Sequence, residues 1–188
     1  PEKVWEMIFE MIKIIDSAKP NNAHYALAEL EKMKLLKTVI TQNIDNLHQE
    51  AGNKNVIEYH GNAKHLVCMS CSAEYSASEF EISEKKIPHC ESCGKILKPS
   101  VIFFGENIPH HALHESQKFA EKADVVIVAG TSAVVYPAAG IPRTAKSRGA
   151  FIIEFNIEET ELTRYDTDVF IHGPAGQTLT ELVKLLKK

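Results

Sequence analysis

The sequence predicts an α/β protein built on a doubly wound parallel sheet, with a small zinc-binding module inserted in the middle of the chain. Three observations carry that reading. Continuous apolar runs such as VVIVAG (125–130) and FIIEFN (151–156) alternate with amphipathic helical stretches, the pattern of strands covered on both faces by crossover helices. Several of these runs end in small or polar residues, where an open parallel sheet places its ligand. The chain has four cysteines, and they fall into two C-x-x-C pairs.

The elements follow in order. Residues 2–16 (EKVWEMIFEMIKIID) and 22–36 (NAHYALAELEKMKLL) place Val4, Ile8, Met11 and Ile15, then Ala23, Ala26, Leu27 and Leu30, at helical spacing. Pro20 and Asn21 separate them as break and cap. A strand at 37–41 runs into TQNID, and NLHQEAG (46–52) suits a short helix closed by Gly52. VIEYHG (56–61) is strand-like, the cysteine module covers residues 61–99, and SVIFFG (100–105) reads as another strand. A helix over 110–123, a strand at 124–130, a helix over 137–149 ending at Gly149, strands at 150–156 and 168–173, and an amphipathic helix over 177–188 complete the chain. Residues 1–60 and 100–188 thus form the parallel-sheet domain and 61–99 the module. At 188 residues there is room for one α/β core and one small insertion.

Cys68 and Cys71 (CMSC) and Cys90 and Cys93 (CESC) are separated by 18 residues, the interval of a four-thiolate zinc site. Each pair aims two thiolates at one point, and four complete a closed tetrahedron with no position left for water or substrate. The zinc is therefore expected to be structural. Two disulfides are the alternative, disfavoured by the absence of any secretory feature. A redox C-x-x-C would not need a second copy.

Composition excludes other classes. The 21 Lys+Arg against 25 Asp+Glu give a net charge of −4, a poor balance for a non-specific nucleic-acid binder. Within the module, Lys64, Lys85, Lys86, Lys95 and Lys98 are matched by Glu74, Glu79, Glu81, Glu84 and Glu91, so a phosphate-binding zinc ribbon is disfavoured. No stretch approaches the roughly 18–20 apolar residues of a membrane span, and PEKVWEMIFEM lacks the order of a signal peptide. A soluble, cytoplasmic protein with no direct nucleic-acid or membrane partner is expected.

Polar strand ends raise a sharper question. Local capping accounts for Asp45 or Asn46 but leaves Gln42 and Asn43 unexplained. Gly130, Thr131 and Ser132 follow a second strand, and Asn156, Ile157 and Glu158 a third. In a Rossmann-like sheet such loops gather on one edge, where a dinucleotide lies.

Taken in sequence, TQNIDNLHQEAG, EYHGN, the paired C-x-x-C, LKPSVIFFGENIP, GTSAVVYPAAG and EFNIE resemble the sirtuins, the NAD-dependent protein deacylases. The resemblance runs from about residue 19 to 176. It implies a Rossmann-like domain that binds NAD as co-substrate, one structural zinc, and acylated-lysine protein substrates entering between the two parts. It assigns Gln42, Asn43, Ile44 and Asp45 to the nicotinamide–ribose pocket, and Gly130, Thr131, Ser132, Asn156, Ile157, Glu158 and Ala175 to the remainder of the cofactor. His60, in the HG pair, corresponds to the catalytic histidine. There it accepts a proton from the ribose hydroxyl system after nicotinamide has left, work suited to an imidazole, which ordinarily titrates near 6.5. Ile102, Phe104, Gly105 and Val135 correspond to peptide and acyl-lysine contacts, made largely through main-chain pairing.

Two features depart from the family. The glycine-rich turn that cradles the NAD pyrophosphate has no counterpart in PEKVWEMIFEM, so these 188 residues are expected to be weakly active or inactive alone. The Tyr and Arg that select acidic acyl groups in some sirtuins are replaced by Ile8 and Met11, which implies a preference for acetyl-lysine over succinyl-lysine. A mono-ADP-ribosyltransferase, trapping the same intermediate with another nucleophile, is the alternative enzyme, and a non-catalytic zinc-ribbon module the alternative class.

Overall fold

The computed structural model describes residues 2–83 and 86–188, the side chain of Glu2 excepted. Glu84 and Lys85 of the module's charge balance, and Pro1 of the opening stretch, lie outside the described residues.

Helix α1 (Glu2–Ser17) uses its apolar stripe to dock on the cysteine module. Trp5 and Ile8 form one cluster with Leu66, Cys68, Cys90 and Leu97. Ile8 is only 1% exposed there, so it fills the core beside two cysteines and does not line an acyl pocket. That corrects the placement of Ile8 implied by the family resemblance; Met11 packs at the border of the same cluster. Helix α2 (Asn22–Lys32) is opened by Asn21, whose Oδ1 accepts from the Ala23 amide at 2.9 Å while His24 Nδ1 accepts from the Asn21 amide at 3.2 Å. It ends at Lys32 and not at 36, because Lys34 turns left-handed (φ 64°) and the amides of Leu35 and Leu36 fold back onto the Leu30 carbonyl.

The parallel strands form two ladders. In one, β1 (Val39–Thr41) pairs with β2 (Val56–Glu58), joined through α3 (Leu47–Glu50). In the other, the order is β6 (Val125–Ala129), β7 (Phe151–Asn156) and β8 (Val169–His172). Side chains alternate along this ladder. Val126, Val128 and Ile152 pack with α4 (His110–Lys122), α5 (Gly140–Ser147) and α6 (Glu161–Tyr165) on one face. Ile127, Ala129, Ile153 and Phe155 pack with α2 and α7 (Ala175–Leu186) on the other. The sheet is therefore doubly wound, as expected.

Crossover handedness orders the two ladders. Helices α4 and α5 share one face, whereas α3 sits against α2 on the opposite one. Right-handed connections through the first face carry the chain from β2 to β6, β7 and β8, and the connection through α3 carries it the other way. Applied to the two separate ladders, the rule gives the order β2-β1 and then β6-β7-β8, with the winding reversing between β1 and β6. No ladder joins those two strands among the described residues, and Val125, in a run that reads as buried on both faces, is 53% exposed.

Between the parallel ladders in sequence lies the antiparallel sheet β4-β3-β5, from β3 (Gly61–Cys68), β4 (Glu74–Ser76) and β5 (Leu97–Val101). Strand β5 stops at Val101, short of the 105 expected. Phe103 turns inward against the module cluster and Phe104 is fully exposed. The short α6 has no strong apolar period and was not evident in the sequence.

Candidate active site and metal centre

All polar strand ends lie at carboxyl ends of parallel strands, in two groups. The first surrounds His60, which follows β2. Its Nδ1 lies 3.2 Å from the Gln42 carbonyl oxygen at the end of β1. A carbonyl only accepts, so Nδ1–H donates and Nε2 is left as the basic nitrogen. The His60 carbonyl in turn accepts from the Ile102 amide at 2.9 Å, bringing the expected peptide edge to the histidine. Gly61 makes this approach possible: a Cβ there would stand 1.9 Å from the Ser100 carbonyl oxygen, and its φ is +77°. Only glycine meets both conditions.

The carboxamide loop is tied down from both sides. Thr41 Oγ1 accepts from the Asn43 amide at 3.0 Å, Asp45 Oδ1 accepts from the Leu47 amide at 3.0 Å, and the Ile44 carbonyl accepts from Ala63. Asp45 thus ties the turn into α3, whose N-cap position is Asn46 with no side-chain cap bond, while no hydrogen bond of the Gln42 or Asn43 side chain is found among the described residues. Glu58 accepts from Gln49 Nε2 at 2.6 Å and from Asn62 Nδ2, and Asn62 also bonds Asn46 Oδ1 at 3.1 Å. Glu58, Asn62 and Thr41 were not singled out in the sequence. Their signal was their position flanking the Tyr-His-Gly and Gln-Asn motifs.

The second group lies at the ends of β6 and β7. Gly130 (φ +61°) donates its amide to the Phe155 carbonyl at 3.0 Å, and Asn156 Nδ2 donates to the Thr131 carbonyl at 2.9 Å. The Gly-Thr-Ser and Phe-Asn-Ile-Glu loops are thus one surface, with Ser132, Ile157 and Glu158 exposed. Ala175 begins α7 and packs partly into the core. Val135 and Phe104 are exposed, and an open cavity of about 410 Å³, lined by Glu106, Asn107, Ile108, His110, Leu113 and Pro137, adjoins Gly105 and Tyr136 in sequence.

The four cysteine sulfurs all lie within 4.8 Å of one another, with Cys68–Cys93 at 3.5 Å and Cys71–Cys90 at 3.6 Å. A tetrahedral zinc with Zn–S of about 2.3 Å needs S···S edges of about 3.8 Å, so the set fits the ion. Two knuckles shape it: Ser72 and Gly94, both left-handed, return their amides to the carbonyls of Cys68 and Cys90 at 2.8 Å. The hydrogen bond from Tyr75 draws the Cys90 thiol down to about 6. Cys71, although an Ala73 backbone bond pulls it down, is pushed up to about 12 by the neighbouring sulfurs. Four thiolates at this spacing require a cation among them, and the site is placed to bind one zinc.

A doubly wound α/β layer with polar loops at its strand ends and a four-cysteine module beside them defines an NAD-linked enzyme of the sirtuin type. The sequence model described as "Sir2 family" matches residues 1–137, and the chain belongs to that family. It is 48% identical to the NAD-dependent protein deacylase of Thermococcus kodakarensis, over the whole of this chain and 74% of that protein. It is 45% identical to NAD-dependent protein deacylase 1 of Archaeoglobus fulgidus, over all of this chain and 76% of that one. Among solved structures, a Sir2 homologue in complex with NAD superposes with a TM-score of 0.94 at 44% identity, covering all of this chain and 72% of its own. Another, Sir2Af2 bound to a myristoylated histone peptide, gives 0.87 at 44% identity, covering all of this chain and 80% of its own.

Proposed function

We propose that the chain carries the catalytic centre of an NAD-dependent protein-lysine deacylase that releases nicotinamide and O-acyl-ADP-ribose. The observation that carries this is the His60–Gln42 contact, which fixes the tautomer and leaves Nε2 basic at the end of β2. NAD, when bound, supplies the electrophilic ribose carbon to which the acyl oxygen adds. His60 takes the proton from the ribose hydroxyl at Nε2. Gln42, Asn43, Ile44 and Asp45 hold the nicotinamide–ribose end. Gly130, Thr131, Ser132, Asn156, Ile157, Glu158 and Ala175 serve the adenosine end. Ile102, Phe104, Gly105 and Val135 grip an extended acyl-lysine peptide. Cys68, Cys71, Cys90 and Cys93 would hold the zinc that organises the module, which we delimit as 61–99, with 1–60 and 100–188 as the cofactor domain. We place the enzyme in the cytoplasm, acting on proteins and not on nucleic acid or membranes. No helix among the described residues is long and apolar enough to cross a membrane.

The first glycine of the sequence is Gly52, so these 188 residues offer no glycine-rich turn ahead of β1 for the pyrophosphate. We expect little turnover from them alone. The test joins them to the N-terminal quarter of the Thermococcus kodakarensis relative and assays an acetyl-lysine peptide with saturating NAD. Turnover should appear in the fusion and vanish with His60→Ala. Turnover surviving that substitution would remove His60 from the chemistry, and label passing to protein as ADP-ribose would favour the transferase.

A further inference from the structure

Strand β7 buries a carboxylate that the proposed chemistry does not use. Glu154 has 0% of its surface exposed. Its Oε1 accepts from Thr160 Oγ1 at 2.7 Å, and its Oε2 accepts from Thr163 Oγ1 at 2.7 Å and Thr167 Oγ1 at 2.9 Å. Those threonines lie on the segment that leaves β7 through Asn156, Ile157 and Glu158 and returns through α6. Thr160 is also the cap of α6, accepting from the amides of Leu162 and Thr163 at 3.1 and 3.3 Å. Burying a carboxylate is expensive, and a well-packed apolar group in its place is often neutral or stabilising. A carboxylate that binds three hydroxyls from one segment does something an apolar residue cannot: it fixes where that segment sits.

The segment so fixed is short. At its start, Asn156 bonds the Thr131 carbonyl and accepts from the Ile157 amide at 2.9 Å, while the Ile157 carbonyl lies 2.9 Å from His172 Nε2. At its end, Thr160 is held by Glu154. Residues 157–159 are exposed between the two anchors.

We propose that Glu154 is a positioning residue for the adenosine end of the dinucleotide, acting through Thr160, Thr163 and Thr167 to hold Ile157 and Glu158 at the edge of the sheet. This rests on the NAD-binding reading of those loops. Glutamine is a poor substitute, because its NH₂ would face a hydroxyl whose proton is already directed inward, and reversing that hydroxyl would disturb the cap of α6.

The experiment follows hydrogen exchange of residues 156–160 in the 188-residue chain and titrates ADP-ribose into the fusion described above, which supplies the pyrophosphate turn. In Glu154→Gln, and in the milder Thr167→Val, the hydrogen-bonded amides of Ile157 and Thr160 should exchange about tenfold faster than in wild type, the loss of one charged hydrogen bond, while those of 151–155 hardly change. ADP-ribose affinity should fall by a similar factor, and Thr167→Ser, which keeps the hydroxyl, should restore both. If Glu154→Gln does not fold, Thr167→Val and Thr167→Ser decide. A lowered Tm with unchanged loop exchange and unchanged ADP-ribose affinity would make Glu154 a core polar group and nothing more. A fusion that binds no ADP-ribose would count against the NAD reading; loop exchange in Thr167→Val against Thr167→Ser in the 188-residue chain then still decides the positioning role.

Discussion

The antiparallel cysteine module and the parallel β6-β7-β8 layer are held together by different physics. The module's buried cluster is Trp5, Ile8, Leu66, Cys68, Cys90 and Leu97, two of its members belonging to the four-cysteine set and two contributed by α1. The parallel layer has two clusters, one on each face, built from five helices and no metal ligand. Two of the module's six buried members are cysteines of the four-sulfur set, so the module's packing is built around the ion site and shares in its binding free energy. The clusters on the two faces of the parallel layer contain no cysteine, so their packing does not involve the ion site.

Removing the metal is therefore the strongest test of the contrast. Chelation should unfold the module and release α1, while β6-β7-β8 with α2, α4, α5 and α7 stays folded. Structural zinc contributes about 10–16 kcal/mol in small zinc-finger peptides, so this is the largest single effect expected. Two separate thermal transitions after chelation, with Trp5 fluorescence reporting the first, would bear this out. One cooperative transition at an unchanged temperature would show that the ion contributes nothing.

Next in size are substitutions within each region. Phe155, fully buried in the parallel layer between α2 and α7, should cost about 3–5 kcal/mol as Phe155→Ala, whether or not metal is present. Gly61→Ala should cost a comparable amount by another route, since its Cβ would overlap the Ser100 carbonyl and spread β3 from β5. The loss should be visible as a lower denaturation midpoint together with a weakened hold on metal. If Gly61→Ala leaves metal affinity intact, the β3–β5 approach is not what aligns the two knuckles.

The same contrast explains what could be read in advance. The cysteine spacing and the apolar periods of β6, β7 and α7 are local signals, and they announced the metal site and the doubly wound layer. The Gln-Asn-Ile-Asp loop and the His-Gly pair were legible as motifs, but their contact through the Gln42 carbonyl depends on the register Thr41 to Glu58, which no local pattern states. The helix ending at Lys32, the strand ending at Val101 and the inward turn of Phe103 were missed for a related reason. Each is decided by what the chain meets in three dimensions, not by its own period. Ile8 is the clearest case: its helical spacing was correct, but the partner it packs against could not be inferred from α1. Glu154 was not singled out within FIIEFN, and only the three threonines folded over it make it a buried anchor.

Acid gives the smallest effect and separates the regions in another way. Where α2 meets α3 in the parallel half, the His24 and His48 rings lie 4.7 Å apart, and His48 Nδ1 is buried without a hydrogen-bond partner. Burial first, and then the neighbouring His24, hold His48 down to about 4, while Asp45 pulls weakly the other way. His24 is also lowered, chiefly by burial. The unfolded chain, whose histidines titrate near 6.5, binds more protons between pH 6.5 and about 4 than the folded one. Stability from this pair is thus complete above pH 6.5 and is lost as the pH falls towards 4. His48 is only partly enclosed, so after allowing for solvent screening the loss is about 1–2 kcal/mol. Carboxylates held low elsewhere, such as Asp168 beside the Ile152 amide and Lys146, also weaken the fold in acid, so the pair must be isolated by difference. The Tm of wild type should fall more steeply from pH 7 to 5 than that of His48→Gln, both in metal-saturating buffer. Parallel curves for the two proteins would mean that the His24–His48 contact carries no proton-linked stability and that acid acts through the carboxylates and the thiolate site alone.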